Sequence, residues 1–161
     1  MTYPGAMRRL LLLGALAALA LPAGAAAKTI QFSVTSVGKS VVTHDKKPKG
    51  ASKGDTIVYH DQLLNAAAQF GKAKGAAVGT DHGTMTFTSP HAAKFSGTAR
   101  LPDGSLTIDG RVTALSNGYL TIPVTGGTGA YEGAKGILVV GPGKKRALNI
   151  YRITITSGNV A

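Results

Sequence analysis

The side chains best equipped for chemistry are a few phenols, imidazoles and carboxylates. Tyr59, Tyr119, Tyr131 and Tyr151 carry phenols that can polarise a ligand oxygen from inside a barrel; each can equally pack, with one hydrogen bond at a barrel end. His82 shares a strand face with Thr80 and Thr84, and an imidazole works as acid or base near neutral pH. Asp61 lies two residues from Tyr59 on the same face, as a barrel-mouth acid or as the partner of a turn. His44, His60, His82 and His91 contain no pair at i, i+2 or i, i+4, so no metal site is predicted. The absence of Cys excludes disulfides, thiol catalysis and Cys-bound metals. Asp109 and Arg111 share a face, an arrangement of an outer ion pair or a contact between subunits.

Those residues sit in a chain whose composition favours strands. It has 161 residues, 22 of them Gly, with many Thr and few acids. Thr suits a pleated surface, Gly suits tight turns, and the length bounds the chain to one domain. Period-two alternation predicts strands over 29–37, 55–62, 76–88, 93–101, 105–115, 119–125, 136–140 and 146–156. Residues 38–54 read as a Lys-rich loop with a short strand piece at Val41–Thr43, and 63–75 as an Ala-rich mobile connection. Pro102-Asp103-Gly104 and Asn117-Gly118 are turn signals. Gly126-Gly127-Thr128-Gly129 joins two strands with no helix after it. It is therefore a turn whose glycines supply positive φ, not a phosphate cradle. Eight short strands with short links predict an all-β, eight-stranded antiparallel closed barrel, which leaves no open edge.

Residues 1–27 read as a secretory signal peptide and 28–161 as the barrel domain. Arg8-Arg9 precedes the uncharged run Leu10–Leu21, and Ala25-Ala26-Ala27 offers a small-residue cleavage site. The run is shorter than the roughly 20 residues of a membrane span. The expected location is secreted, periplasmic or extracellular, with general secretory and twin-arginine export both open. The chain carries 18 Lys+Arg against 7 Asp+Glu. Its basic clusters, Lys39–Lys53, Lys72/Lys74 and Lys144–Arg146, lack interleaved aromatics and read as solvated loops. That argues against specific nucleic-acid binding and leaves weak attraction to acidic surfaces.

Val124-Thr125-Gly126-Gly127-Thr128-Gly129-Ala130-Tyr131-Glu132-Gly133-Ala134-Lys135-Gly136 resembles the glycine-rich segment of the allene oxide cyclase barrel group, which includes dirigent proteins. Lys49–Asp55 with Val58–Leu63, Val78–Gly83 and Gly104–Gly110 resemble further segments of that group, in the same order. The resemblance implies an eight-stranded barrel, often a homotrimer, whose cavity binds a small hydrophobic or phenolic molecule. Cyclase members close an unsaturated epoxide and dirigent members orient phenoxy radicals; both act chiefly by constraining geometry. Cyclase members carry a first-strand acid that Thr29–Val37 lacks, with Gln31 the nearest polar substitute. Lys135 stands where the group often has Arg. The candidate catalytic residues are thus Tyr59, Asp61, His82 and Lys135, and the candidate ligand-binding residues Gln31, Tyr59, His82, Tyr119 and Tyr131. No cofactor and no metal enter this reading.

Two functions stay open. One is a cavity that binds a small hydrophobic ligand and steers its cyclisation or coupling, as an intramolecular cyclase or isomerase would. The other is a non-catalytic envelope or extracellular barrel filled by its own side chains. An open cavity above about 300 Å³ with two or more convergent polar groups favours the first.

Overall fold

A computed structural model describes residues 27–46, 49–114, 118–142 and 147–156. Residues 1–26 of the leader, Asn117 and the Lys144–Arg146 cluster lie outside the described residues. Within them the chain forms eight strands: β1 (Ala27–His44), β2 (Thr56–Asn65), β3 (Ala77–Ser89), β4 (Ala92–Leu101), β5 (Gly104–Ala114), β6 (Leu120–Gly129), β7 (Lys135–Pro142) and β8 (Ala147–Thr156). Each pairs antiparallel with the next, and β8 returns to β1, closing the barrel. The expected all-β closed barrel is therefore the observed fold.

Three local expectations need correction. The first strand does not stop at Val37. The register with β2 shifts between Gly38 and Ser40, and pairing resumes with Val41, Val42 and Thr43 opposite Tyr59, Val58 and Ile57. An irregularity at Gly38 bends the strand without ending it, so the basic loop is shorter than the composition suggests. Residues 66–76 are not a loose connection. Asn65 is 2% exposed, and its Nδ2 donates to the carbonyls of Gln69 (2.8 Å) and Lys72 (3.1 Å). The Gln69 side chain bonds the Ser33 backbone, and Phe70 lies edge-on to Phe32 at 5.2 Å. Finally, Gly126–Gly129 is part of β6, paired with Gly104, Ser105, Leu106 and Thr107. The reversal follows it, where Tyr131 and Glu132 amides donate to the carbonyls of Thr128 (3.2 Å) and Gly129 (3.0 Å).

Of that segment's glycines, Gly129 has the positive φ (+61°), and a Cβ there would strike the Asp103 carbonyl. Gly127 is required for another reason: a Cβ would lie 2.7 Å from the Ser105 carbonyl. Replacing Gly129 by Val adds a left-handed backbone penalty of roughly 1–2 kcal/mol to that collision. We expect a lower urea midpoint with unchanged slope; an unaltered midpoint would contradict the close approach of β5 and β6.

A carboxylate ties Lys46 to Ser52. Asp55 accepts from the Lys46 amide (2.7 Å), the Ser52 amide (2.6 Å) and the Ser52 hydroxyl (3.0 Å). The Lys46 backbone bond chiefly holds its pKa below the ordinary value.

The interior is divided into two halves. Towards the end bearing Phe70 and the Tyr131 turn it is packed solid by Phe32, Leu63, Leu106, Ile108, Val124 and Tyr151, all under 7% exposed. Phe32 stacks on Tyr151 at 4.9 Å and meets Tyr131 at 6.4 Å. Towards the opposite end, bearing the Ser89–Ala92 hairpin, the side chains part around a cavity.

Candidate functional site

Strand alternation places Ile57, Tyr59, Asp61 and Leu63 of β2 inward, and Asp81, Gly83 and Met85 of β3 beside them. Asp61 is paired directly with Asp81, Tyr59 with Gly83, and Ile57 with Met85. Side chains opposite each other on one face stand about 5 Å apart, and two like charges there repel. The remaining polar wall comes from Ser36 on β1 and Asn149 on β8. Met85, Phe95, Leu120, Ile122, Leu138 and Val140 supply apolar wall, and the space enclosed is about 190 Å³. An apolar cavity of about 150 Å³ accommodates benzene. The volume here is of the size of a substituted aromatic ring.

Asp81 is 2% exposed, and its Oδ1 has no hydrogen-bond partner among the described residues. Burial, followed by the Asp61 charge, raises its pKa from 3.8 to about 7. Asp61 is half-buried; burial raises its pKa too, opposed by His60. The Asp61 charge adds to the burial that favours the protonated form of Asp81, and a carboxyl whose pKa is drawn towards neutrality is suited to serve as acid or base.

Tyr59 adds a phenol to the wall. Tyr59 stacks on Phe95 at 5.8 Å. Burial first, then Asp81 and Asp61, push its pKa well upward, so it stays protonated as a donor. Tyr151 is fully buried beneath the cavity, and its hydroxyl lacks a partner among the described residues. Burial, Asp81 and Tyr59 raise its pKa. Asn149 Nδ2 donates to Ser36 Oγ at 2.6 Å, and Asn149 Oδ1 has no partner among the described residues. Buried polar groups are nearly always satisfied. Atoms of Asp81 and Asn149 that lack a partner among the described residues both stand on residues lining the cavity, and mark positions where a ligand can supply the missing partners.

Of the residues singled out from sequence, Tyr59 and Asp61 line this cavity. Gln31 is exposed on the outer surface, opposite Arg152. His82 also faces outward, half-buried, with its ring 5.3 Å from that of His60. Tyr131 is buried in the packed half, where burial and Asp103 raise its pKa. The Tyr119 ring lies against Gly141. Lys135 is exposed at the start of β7 and donates to the Thr125 carbonyl. Sequence reading passed over Asp81, Asn149 and Ser36. The signal for Asp81 was its alternation with Gly79 and Gly83, which mark the face where a neighbouring ring comes close. A Cβ on Gly83 would collide with the Phe95 ring.

Residues 35–155 match the model of the allene oxide cyclase barrel like domain. The chain belongs to that family. Among solved structures, this allene oxide cyclase barrel-like chain is similar to a pyocyanin demethylase (25% identity, TM-score 0.61, covering 76% of this chain and 99% of that one). It is also similar to the pterocarpan synthase dirigent protein GePTS1 (20% identity, TM-score 0.59, covering 84% and 88%). A third similar structure is the exo-specific intermolecular Diels-Alderase AbnU (12% identity, TM-score 0.64, covering 80% and 98%). No curated protein matches the sequence.

Proposed function

We propose that the barrel binds a small hydrophobic or phenolic molecule in the half-open end of its interior, and that the Asp61–Asp81 pair steers the ligand's cyclisation or rearrangement by exchanging a proton with it. The observation that carries this reading is the Asp81 carboxyl. It is almost fully buried, with one oxygen that has no partner among the described residues, at the wall of a cavity of about 190 Å³. The cavity is smaller than the roughly 300 Å³ at which ligand pockets usually begin. Its convergent polar atoms nevertheless suit ligand binding better than a barrel filled for stability alone, because a filled barrel gains nothing from burying unpaired polar groups. Names of the similar structures support the ligand class: a demethylase of pyocyanin, a pterocarpan synthase and a Diels-Alderase all act on small organic molecules.

In this mechanism the apolar wall removes water and fixes the ligand's orientation. Tyr59 donates to a ligand oxygen, and Asp81 gives or takes the proton of the reacting atom while Asp61 remains charged. The chemistry needs no cofactor. The Asp61–Asp81 pair takes the role of the first-strand acid that Thr29–Val37 lacks. Export through the leader, and assembly as a homotrimer, belong to the same reading.

The test is displacement of an apolar dye by substituted phenols, followed from pH 5 to pH 9. The chain has no Trp, so ligand fluorescence is read against a low background. Saturable displacement whose affinity changes across the Asp81 titration is expected. Absence of displacement, together with native mass spectra that show no retained small molecule, would reject the reading.

A further inference from the structure

The outer face of the barrel carries a second, separate arrangement. His60 on β2 and His82 on β3 are directly opposed in the antiparallel register. Their rings lie 5.3 Å apart and are tilted by 38°. They point away from the interior, because their neighbours Asp61 and Asp81 point into it. An open groove of about 390 Å³ runs beside them, walled by Val58, Thr84, Ser96, Thr98 and Thr107. Its polar atoms are mostly hydroxyls and imidazoles, with no cationic side chain in the wall.

Two imidazoles that share one ion through nitrogens about 2.0–2.1 Å from the metal hold their ring centres roughly 4.5–5 Å apart, the lower end at a tetragonal angle and the upper at a tetrahedral one. The observed 5.3 Å is close to that range. We propose that His60 and His82 form a two-histidine site for a borderline transition-metal dication, with Cu(II) bound more tightly than Zn(II). Imidazole suits both ions, and affinity for such ligands rises to copper across the series. Among the described residues, no third His, Asp or Glu joins the pair. The remaining positions are therefore open to water or to a donor atom of a molecule in the groove. Such a site exchanges its ion readily and leaves it accessible from solvent. The inference does not depend on the interior reading, since side chains on opposite strand faces carry the two.

The experiment uses the purified protein titrated with Cu(II), and compares His60→Gln and His82→Gln with a His44→Gln/His91→Gln control. Each variant of the pair is expected to weaken copper binding at least tenfold. In each, the electron paramagnetic resonance spectrum should lose one of two nitrogen couplings, while the control retains both. An unchanged far-ultraviolet circular dichroism spectrum verifies that each variant keeps its strands. Affinity equal to that of the parent in either pair variant would overturn the proposal. So would an equal loss in the control, which would mark binding at scattered surface histidines.

Discussion

Replacing Asp81 by Asn should make the protein more stable at pH 8 and deprive it of its proton-transfer chemistry. The folded pKa of Asp81 stands at about 7, raised from 3.8 by burial and by Asp61. An acid with a raised folded pKa keeps its proton in the native state where the unfolded chain has already lost it. The native state therefore binds more protons between about pH 4 and pH 7, and stability falls as pH rises through that window. The change corresponds to about 4 kcal/mol at most. Asn carries no such titration. Its advantage should be near zero at pH 4, grow towards pH 7 and level off above it, as read from urea midpoints at each pH. A constant difference from pH 4 to pH 8 would show that Asp81 titrates normally. Asp55 does not blur this reading. Its pKa is lowered, so its contribution is present above the ordinary carboxylate pKa and lost only as pH falls below it. Dye displacement should persist in Asp81→Asn, while any turnover that needs the carboxyl proton is lost.

Phe95→Ala should be the most damaging single truncation beside the cavity. The ring is 4% exposed and stacks on Tyr59. It lies over Gly83 and Gly97, where a Cβ would collide with it. Removing such a ring costs about 3–5 kcal/mol, part of it for the cavity left behind. For a domain of this size each kcal/mol moves the melting midpoint by about 2–8 °C, so calorimetry should show a drop on the order of 10–20 °C. The enlarged space should also admit bulkier phenols in the dye assay. A drop of only a few degrees would mean that neighbouring strands collapse onto the vacancy, and the gain in ligand size should then disappear with it.

The two experiments probe opposite sides of one compromise. Asp81 lowers stability at neutral pH because it is held away from water without a full set of partners. Phe95 and the packed half of the barrel offset that cost. A buried carboxyl retained against such a penalty is a functional-site signal.

Much of the architecture was legible along the chain. Alternation from Thr29 to Val37 and the turn at Asp103-Gly104 specify strands and reversals through local backbone preferences, which neighbouring residues alone can satisfy. The ordered segments from Lys49 to Gly136 were enough to point to the family. Even the face shared by Tyr59 and Asp61 followed from a period of two. Local preference was less informative where a distant strand intervened. Pairing with Tyr59, Val58 and Ile57 carried β1 past Gly38 to His44. The Asn65 amide and the Phe70 ring drew an Ala-rich stretch into a cap.

The candidate site lay further from the sequence than the strands did. Alternation sorts residues onto two faces but does not say which face turns inward, and His82 and Asp81, adjacent in the chain, exchange roles on that choice. Barrel closure settles it: the face bearing Gly79, Asp81 and Gly83 has room for the Phe95 ring inside, while the threonine-rich face meets water. The register of β2 against β3 brings Asp61 opposite Asp81 and His60 across from His82, and closure of β8 onto β1 brings Asn149 beside Ser36. The amino-acid order alone thus determined that strands form and curl into a barrel, because those preferences act over a few residues. Which carboxyl is buried, which imidazoles meet and where space remains were decided by the closed tertiary structure, because burial and proximity depend on every strand at once.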